Sequence, residues 1–338
     1  KHRHWCQPIS VAILAAMVPV SILNLHNVIH HGEVRYVFSG WAVPLGIEWV
    51  ADGLASIILV LLSVLGLLGM VFSGPTSPKD LGGRIVHYYT LILLLISAMT
   101  GIVFSGDLFN LFVFLEVAAI ASYALVGVAG GRALFAAFRY LILGTIGASI
   151  YLLGVSYLYA VTGTLNMADM ADKLPFLLGS KALVGGLLFI FIGLGIKMAL
   201  VPFHAWMPEA YAHAPDSTSP ILASLLTKIA LLAWVRIVYW VLNASIVAYG
   251  IPILLLVAVF GALAAVIGAS LALAQRDIKM MFAYGGISHI GIILIGIGQG
   301  NQTGFVGGVF YLLNDAVMQA ALFFFSRRGI LSVWGQNY

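Results

Sequence analysis

Apolar runs separated by short polar breaks fill almost the whole chain. A helix of ~20 apolar residues spans a hydrocarbon core of ~30 Å. The runs lack the two-residue alternation of membrane barrel strands, so their pattern predicts helices. Spans are expected near 8–30, 52–73, 85–104, 108–129, 139–161, 181–200, 219–241, 250–274, 281–299 and 305–326. The breaks GPTSPKD, SGD, AGGR and QGNQTG carry the Gly, Pro, Asn and Asp residues that end helices. Residues 31–50 differ, with aromatic and β-branched positions around Gly and Pro. They predict an extended surface hairpin, with Trp41 and Trp49 near an interface. The fold class that follows is an all-α polytopic membrane protein with about ten transmembrane helices.

Composition sharpens this picture. Hydrophobic residues make up 62% of the chain and charged residues 8%, against roughly a quarter charged in soluble domains. The single cysteine, Cys6, excludes an internal disulfide framework. No haem or iron–sulfur spacing of Cys or His occurs, so no cofactor and no metal are expected. The net charge of +4 comes from loop residues and does not imply nucleic acid. Assigning successive loops to alternate sides puts Lys1, Arg3, Lys79, Arg84, Arg132, Arg139, Arg276, Lys279, Arg327 and Arg328 on one face. Arg35, Lys173, Lys181 and Arg236 fall on the other. The first face is therefore expected in the cytoplasm.

Three charges remain inside spans: Glu116, Lys197 and Lys228. A lysine at the helix centre costs about 2.5–3.5 kcal/mol on insertion scales. At ~1.5 Å rise per residue, Glu116 lies about 12 Å into its helix, Lys228 about 14 Å and Asp315 about 15 Å. Lys197 precedes Pro202, where a helix should break, and a broken helix at membrane depth lines a cavity or packs inside protein. The stretch 201–220 holds four prolines and the titratable groups His204, Glu209, His213 and Asp216. A short amphipathic helix around Met207–His213 is expected there, as a mouth beside the buried lysines or an ordinary surface loop. A glutamate beside a buried lysine favours the ammonium form, while burial alone favours the neutral amine. Moving the carboxylate would thus hold or release a proton, passing it from Lys197 toward Lys228. His289 is a candidate bridge, or equally a packed, hydrogen-bonded histidine. The blander reading of the three charges is an ion-pair network that only specifies packing. Asp107 is expected to cap the helix that starts at Leu108.

GDLFNLFVFLEVAAIASYALVG (106–127), GIKMALVPFHAWMPEAYAHAPDSTSPILASLLTK (195–228) and RDIKMMFAYGGISHIG (276–291) carry a family resemblance. Together with GIEWVADG at 46–53, they resemble the antiporter-like subunits of respiratory complex I, membrane-bound hydrogenases and Mrp-type sodium/proton antiporters. The wording of the first stretch leans toward the Mrp D-type and hydrogenase members. The resemblance implies fourteen helices and two inverted five-helix repeats, with a broken helix near Lys197. N-terminal helices and the hairpin would then occupy 1–84, the first repeat 85–242, and an incomplete second repeat 250–338. Glu116 matches the family's glutamate on its fifth helix, Lys197 the lysine on the broken seventh and Lys228 the lysine on the eighth. Where the family often has Asn-His and then Lys, this chain has Asn314, Asp315 and Gln319. Gln319 cannot titrate, so Asp315 or water would carry the proton there.

The proton or ion pathway expected from these readings comprises Glu116, Lys197, Lys228, His204, His213, His289 and Asp315. The implied function is proton translocation or cation/proton antiport by a subunit of a redox-driven complex or Mrp antiporter. The alternative is a structural, transport-inactive subunit of the same kind of complex; a redox subunit holding a cofactor is the third class. The chain itself would be a non-catalytic part of a translocase. Expected partners are other membrane subunits, further antiporter-like subunits among them, with lipid, protons and sodium. The expected location is the inner (cytoplasmic) membrane rather than an organellar one. The chain begins without Met and stops just after a span, as a piece of a longer protein would.

Overall fold

The computed structural model describes residues 5–74, 81–177, 179–242 and 253–326. Helix α1 (Cys6–His31) leads into a hairpin of β1 (Val34–Val37) and β2 (Glu48–Ala51), then α2 (Gly53–Ser73). Helices α3 (Ile85–Phe104), α4 (Leu108–Gly127) and α5 (Arg132–Thr162) follow, with a short α6 (Met167–Lys173). Next come α7 (Lys181–Lys197), the short α8 (Trp206–His213) and α9 (Ser219–Val241). The last helices are α10 (Ile253–Leu273), α11 (Ile278–Gly298) and α12 (Gln302–Phe325). Among the described residues, nine of these are long and apolar enough to cross a membrane. Helix α7, at 17 residues, is shorter because it breaks within the bundle. The expected span pattern is therefore the observed one.

Polar residues in the breaks set the helix starts. Asp52, Asp107, Asp277 and Asn301 each accept an amide N–H from the residue three positions on, at 2.7–3.0 Å. These side chains satisfy N–H groups that the first turn leaves free. Helix α5 starts at Arg132, earlier than expected, because Gly130 and Gly131 take positive φ and turn the chain tightly there. Arg139 consequently lies inside a helix rather than a loop.

Small residues let the helices approach. A methyl at Gly154 of α5 would lie 2.7 Å from the Gly186 carbonyl oxygen of α7, so only glycine permits that contact. Helix α9 runs through the middle of the bundle and is buried from Ser219 to Val238. A helix that is apolar all round takes such a place.

One end of the bundle is closed by the hairpin, as the sequence predicts. Its strands pair antiparallel, with Tyr36 opposite Trp49 and Val37 opposite Glu48. The ladder continues through bridges Trp49–Ser105 and Asp107–Asn166. Trp41 is exposed. Trp49 is instead packed against Phe38, Phe104 and Phe114, because it covers the apolar end of α3 and side of α4. Buried Glu48 accepts from Asn166 Nδ2 at 2.6 Å.

Arg236 departs from expectation. It is not a loop residue: it lies in α9, 4% exposed. Its guanidinium pairs with Asp52 at 2.7 Å and donates to the carbonyls of Val50, Val103 and Ser105. Five donors in a fixed fork suit a joint where several chain segments end. Near it, Glu33, Arg35, Glu48, Asp52, Asp172 and Arg236 are among the residues lining a cavity of about 430 Å³.

The opposite face carries Arg84, which donates to the Val128 carbonyl at 2.7 Å, and the pairs Arg139–Glu209 and Lys279–Asp216, each at 2.6 Å. This is the grouping expected from alternating loops. Lys1, Arg3, Lys79, Arg327 and Arg328 lie outside the described residues.

Replacing Arg236 by Met should destabilise the protein by about 3–5 kcal/mol, because it leaves Asp52 buried without its counter-charge. A drop of several degrees in the thermal unfolding midpoint of the detergent-solubilised protein is the expected reading. An unchanged midpoint would mean that the pair does not hold the joint.

Candidate functional site

Two carboxylate–lysine pairs lie inside the spans, the first partly buried and the second fully buried. In the first, Lys197 Nζ of α7 donates to Glu116 Oε1 of α4 at 2.7 Å. Helix α7 ends at Lys197, and the next residues form a cap. Leu200 N–H donates to the Gly195 carbonyl at 2.8 Å and Ala199 N–H to that of Ile196 at 3.2 Å. Ala199 sits at φ +57°, the left-handed conformation that this cap requires and that usually falls to glycine. Holding alanine there costs roughly 1–2 kcal/mol. Pro202 explains the stop, since its ring would clash with the carbonyl four residues back in a continued helix.

The chain then turns through Phe203–Ala205 and re-forms as α8, as the prolines predict. Trp206 fixes this return. Its Nε1 donates to the Ile196 carbonyl at 2.8 Å, and its ring stacks on Tyr140 at 4.1 Å. The Tyr140 hydroxyl in turn accepts from Ser122 at 3.1 Å. The ion pairs Arg139–Glu209 and Lys279–Asp216 pin the segment to α5 and α11.

The second pair lies deeper. Lys228 Nζ of α9 is 2.8 Å from Asp315 Oδ2 of α12, and these residues are 2% and 0% exposed. His289 Nδ1 of α11 lies 2.6 Å from the other carboxylate oxygen. Lys228 also donates to the Ala223 carbonyl at 2.8 Å, within the π-helical turn Leu222–Leu226. Such wide turns inside α-helices recur at functional sites. Asp315 thus joins three helices, with Lys228 Nζ close to one carboxylate oxygen and His289 Nδ1 close to the other. Lys228 therefore does not stand alone in its span but faces a carboxylate.

Beside Lys197 lies a cavity of about 20 Å³, lined also by Tyr140, Leu115 and Ala119 and by Leu226 and Ala230 of α9. About 10–15 Å³ suffices for one water, though a water needs polar partners as well. Lys197 and Tyr140 supply them on one side. Glu116, the more exposed member of its pair, also borders a groove between α4 and α5 that Tyr123 and Gly127 line.

Of the residues singled out from the sequence, Glu116 meets Lys197, and Lys228 meets Asp315 and His289. The other two histidines stand apart. His213 Nδ1 lies 2.9 Å from the Glu209 carbonyl at the end of α8. His204 packs edge-on against Tyr284 and bonds to neither pair among the described residues. Sequence reasoning missed the role of Arg236, although a third basic residue eight positions after Lys228 in one apolar run was a signal. It also missed Tyr140 and Trp206, whose positions at the break depend on tertiary packing alone. At the hairpin end, Asp107 caps α4 as expected; burial raises its carboxyl above the usual range, opposed by bonds from the Asn110 and Phe109 amides.

Residues 105–332 match the family described as NADH:quinone oxidoreductase/Mrp antiporter, transmembrane. The N subunit of the NADH-quinone oxidoreductase of Desulforudis audaxviator is 40% identical over 317 residues, 93% of this chain and 62% of the relative. The D-type subunit of the Na(+)/H(+) antiporter of Alkalihalophilus pseudofirmus is 30% identical over 96% of this chain and 65% of the relative. The chain therefore spans less than two thirds of the length of these relatives. Among solved structures, the Mrp complex from Dietzia superposes with a TM-score of 0.86 at 28% identity, covering 95% of this chain and 59% of that one. A chain of the archaeal membrane-bound sulfane sulfur reductase superposes with a TM-score of 0.85 at 31% identity, covering 94% and 64%.

Removing one member of the Lys228–Asp315 pair should cost about 3–5 kcal/mol, since the survivor is a buried lone charge. Asp315→Leu is expected to lower the unfolding midpoint sharply, and Lys228→Met with Asp315→Leu to restore most of it. A double variant as unstable as the single one would show that the pair is not the energetic unit.

Proposed function

We infer that this chain, which belongs to the NADH:quinone oxidoreductase/Mrp antiporter family of transmembrane proteins, is an ion-translocating subunit that passes protons through buried carboxylate–lysine pairs. The observation that carries this reading is the placing of Glu116–Lys197 and Lys228–Asp315 inside apolar spans, where ionisable groups are costly. Packing alone is served more cheaply by apolar side chains of similar volume.

The chemistry follows from the pairs. Glu116 at 2.7 Å favours the ammonium form of Lys197, against the burial that favours the neutral amine. When the carboxylate moves away or takes up a proton, the attraction is lost and the buried ammonium can release its proton. The small cavity beside Lys197 is the route toward α9. The Lys228–Asp315–His289 cluster can then exchange a proton internally, because two bases share one carboxylate. Lys197 stands at a broken helix end, where a small rearrangement of the chain alters its distance to Glu116. In this reading His204 and His213, on the segment after the break, serve as groups at the mouth.

Two inverted repeats, 85–242 and the residues from 250, fit the place of the break and the antiparallel approach of α9 and α12. The relatives are subunits of a quinone oxidoreductase and of a sodium/proton antiporter, and both structural neighbours come from membrane complexes. The partners proposed for this chain are therefore other membrane subunits, and the ions protons with sodium as a counter-ion. The location proposed is the cytoplasmic membrane, with the Arg84 and Lys279 face inward.

Lys197→Met should abolish proton movement by the reconstituted complex in proteoliposomes while the subunits still assemble. Asp315→Asn should slow it by at least tenfold. Wild-type rates in the Lys197→Met complex would remove the pair from the mechanism and favour a structural subunit.

A further inference from the structure

The hairpin end of α1 carries His26, His30 and His31, and none of them belongs to either carboxylate–lysine pair. His26 and His30 stand four residues apart, a spacing that makes side chains neighbours on one helix face. Their ring centroids are 4.3 Å apart, with the planes tilted by 53°. Both residues are exposed. Among the described residues, His31 alone of the three bonds to the protein, its Nδ1 lying 3.3 Å from the Asn27 carbonyl. The ring nitrogens of His26 and His30 are open to a ligand.

The packing of α1 turns this pair outward. Ser21 and Asn24 bond to Ser63 and Ser56 of α2, each at 2.9 Å, and so mark the face of α1 that packs. At ~100° per residue, His26 and His30 lie about 140° and 180° round the helix from Ser21. One turn earlier on that outer face stand Ile22 and Leu23, both exposed. Apolar side chains would suit such a face, so packing does not account for two imidazoles there.

Two neutral imidazoles at i and i+4 of a helix are a chelate, and the same spacing presents two ligands to zinc. Two nitrogens on one tetrahedral zinc stand about 3.3 Å apart, given bonds of about 2.0–2.1 Å. Small rotations of two exposed rings reach that separation from centroids 4.3 Å apart. The carbonyls that end α1 lie within a turn, so the negative end of the helix dipole also favours a cation. No third His, Cys, Asp or Glu joins the pair among the described residues, and water completes the shell. Imidazole ligands select Zn2+, Ni2+ and Cu2+ over Mg2+ and Ca2+, which take oxygen. The expectation of no metal rested on haem and iron–sulfur spacings, and a histidine pair on one helix turn is neither.

We propose that His26 and His30 form a two-histidine site for a divalent transition metal at the hairpin end of α1. A bound ion ties together the last two turns of α1, just before Gly32 turns the chain into the hairpin. The site stands apart from the buried pairs, so it holds whether or not this chain moves protons.

Metal binding to the complete complex, first stripped of ions with a chelator, tests the site. Zn2+ is titrated by calorimetry, and Cu2+ is followed by electron paramagnetic resonance, which counts nitrogen ligands. The signal of this site is the difference between wild type and the double variant His26→Gln with His30→Gln. Both positions face away from α2, so these variants keep the fold. Wild type is expected to bind one further Zn2+ and to show two nitrogens on Cu2+, with no such difference for Mg2+. His26→Gln and His30→Gln alone should each weaken binding at least tenfold and leave one nitrogen, because a chelate becomes a single ligand. His31→Gln, outside the pair, should bind within about twofold of wild type. Zn2+ binding by wild type equal to that of the double variant would overturn the site. Full affinity in either single variant, or an equal loss in His31→Gln, would overturn the pairing of His26 with His30.

Discussion

A charged side chain in hydrocarbon must find its counter-charge within the protein, and the bundle is arranged around that demand. Lys197 closes on Glu116, Lys228 on Asp315 and Arg236 on Asp52. Each pair joins different helices, so each contact fixes a packing relation as well as neutralising a charge. An unpaired member would be costly, which makes a wrong helix arrangement costly too.

Helix α9 concentrates these constraints. It brings Lys228 to the centre of the bundle and Arg236 to the hairpin end, and it is buried along nearly its whole length. Arg236 anchors it to four separate points of the hairpin end, with little freedom left there. At its other end, α9 grows out of the buried stretch Ser217–Ser219 and widens into a π turn beside Lys228. Wide π turns lie near both ends, Leu222–Leu226 and Ile237–Val241, while the Ser217 and Thr218 hydroxyls, without partners among the described residues, lie at one end alone.

The break after Lys197 has a similar double character. Ala199 is held in a left-handed conformation, and the surrounding contacts over-determine it: the Trp206 bond to Ile196, the Tyr140 stack and two ion pairs on the following segment. Strain kept in place by neighbours is a common mark of functional backbone. Here it sits directly beside Lys197, which pairs with Glu116.

The number of spans, their approximate limits, the hairpin and the break near Pro202 were legible in the sequence. They follow from local rules: the length a bilayer requires, the polar caps that start helices, and the amide that proline lacks. Glu116, Lys197, Lys228 and Asp315 were legible for the same reason, since an ionisable residue deep in an apolar run is conspicuous. Who meets whom was not. Glu116 and Lys197 are 81 positions apart, and Asp52 and Arg236 are 184 apart. Nothing in the composition of a span says which neighbour its charge will face. Arg236 therefore read as a loop cation and Lys228 as a free acceptor, until packing set Asp52 and Asp315 against them. Hydropathy decides which segments enter the membrane. Only the close approach of helices, set by glycines such as Gly154 and Gly286 and by the need to leave no charge alone, decides their partners.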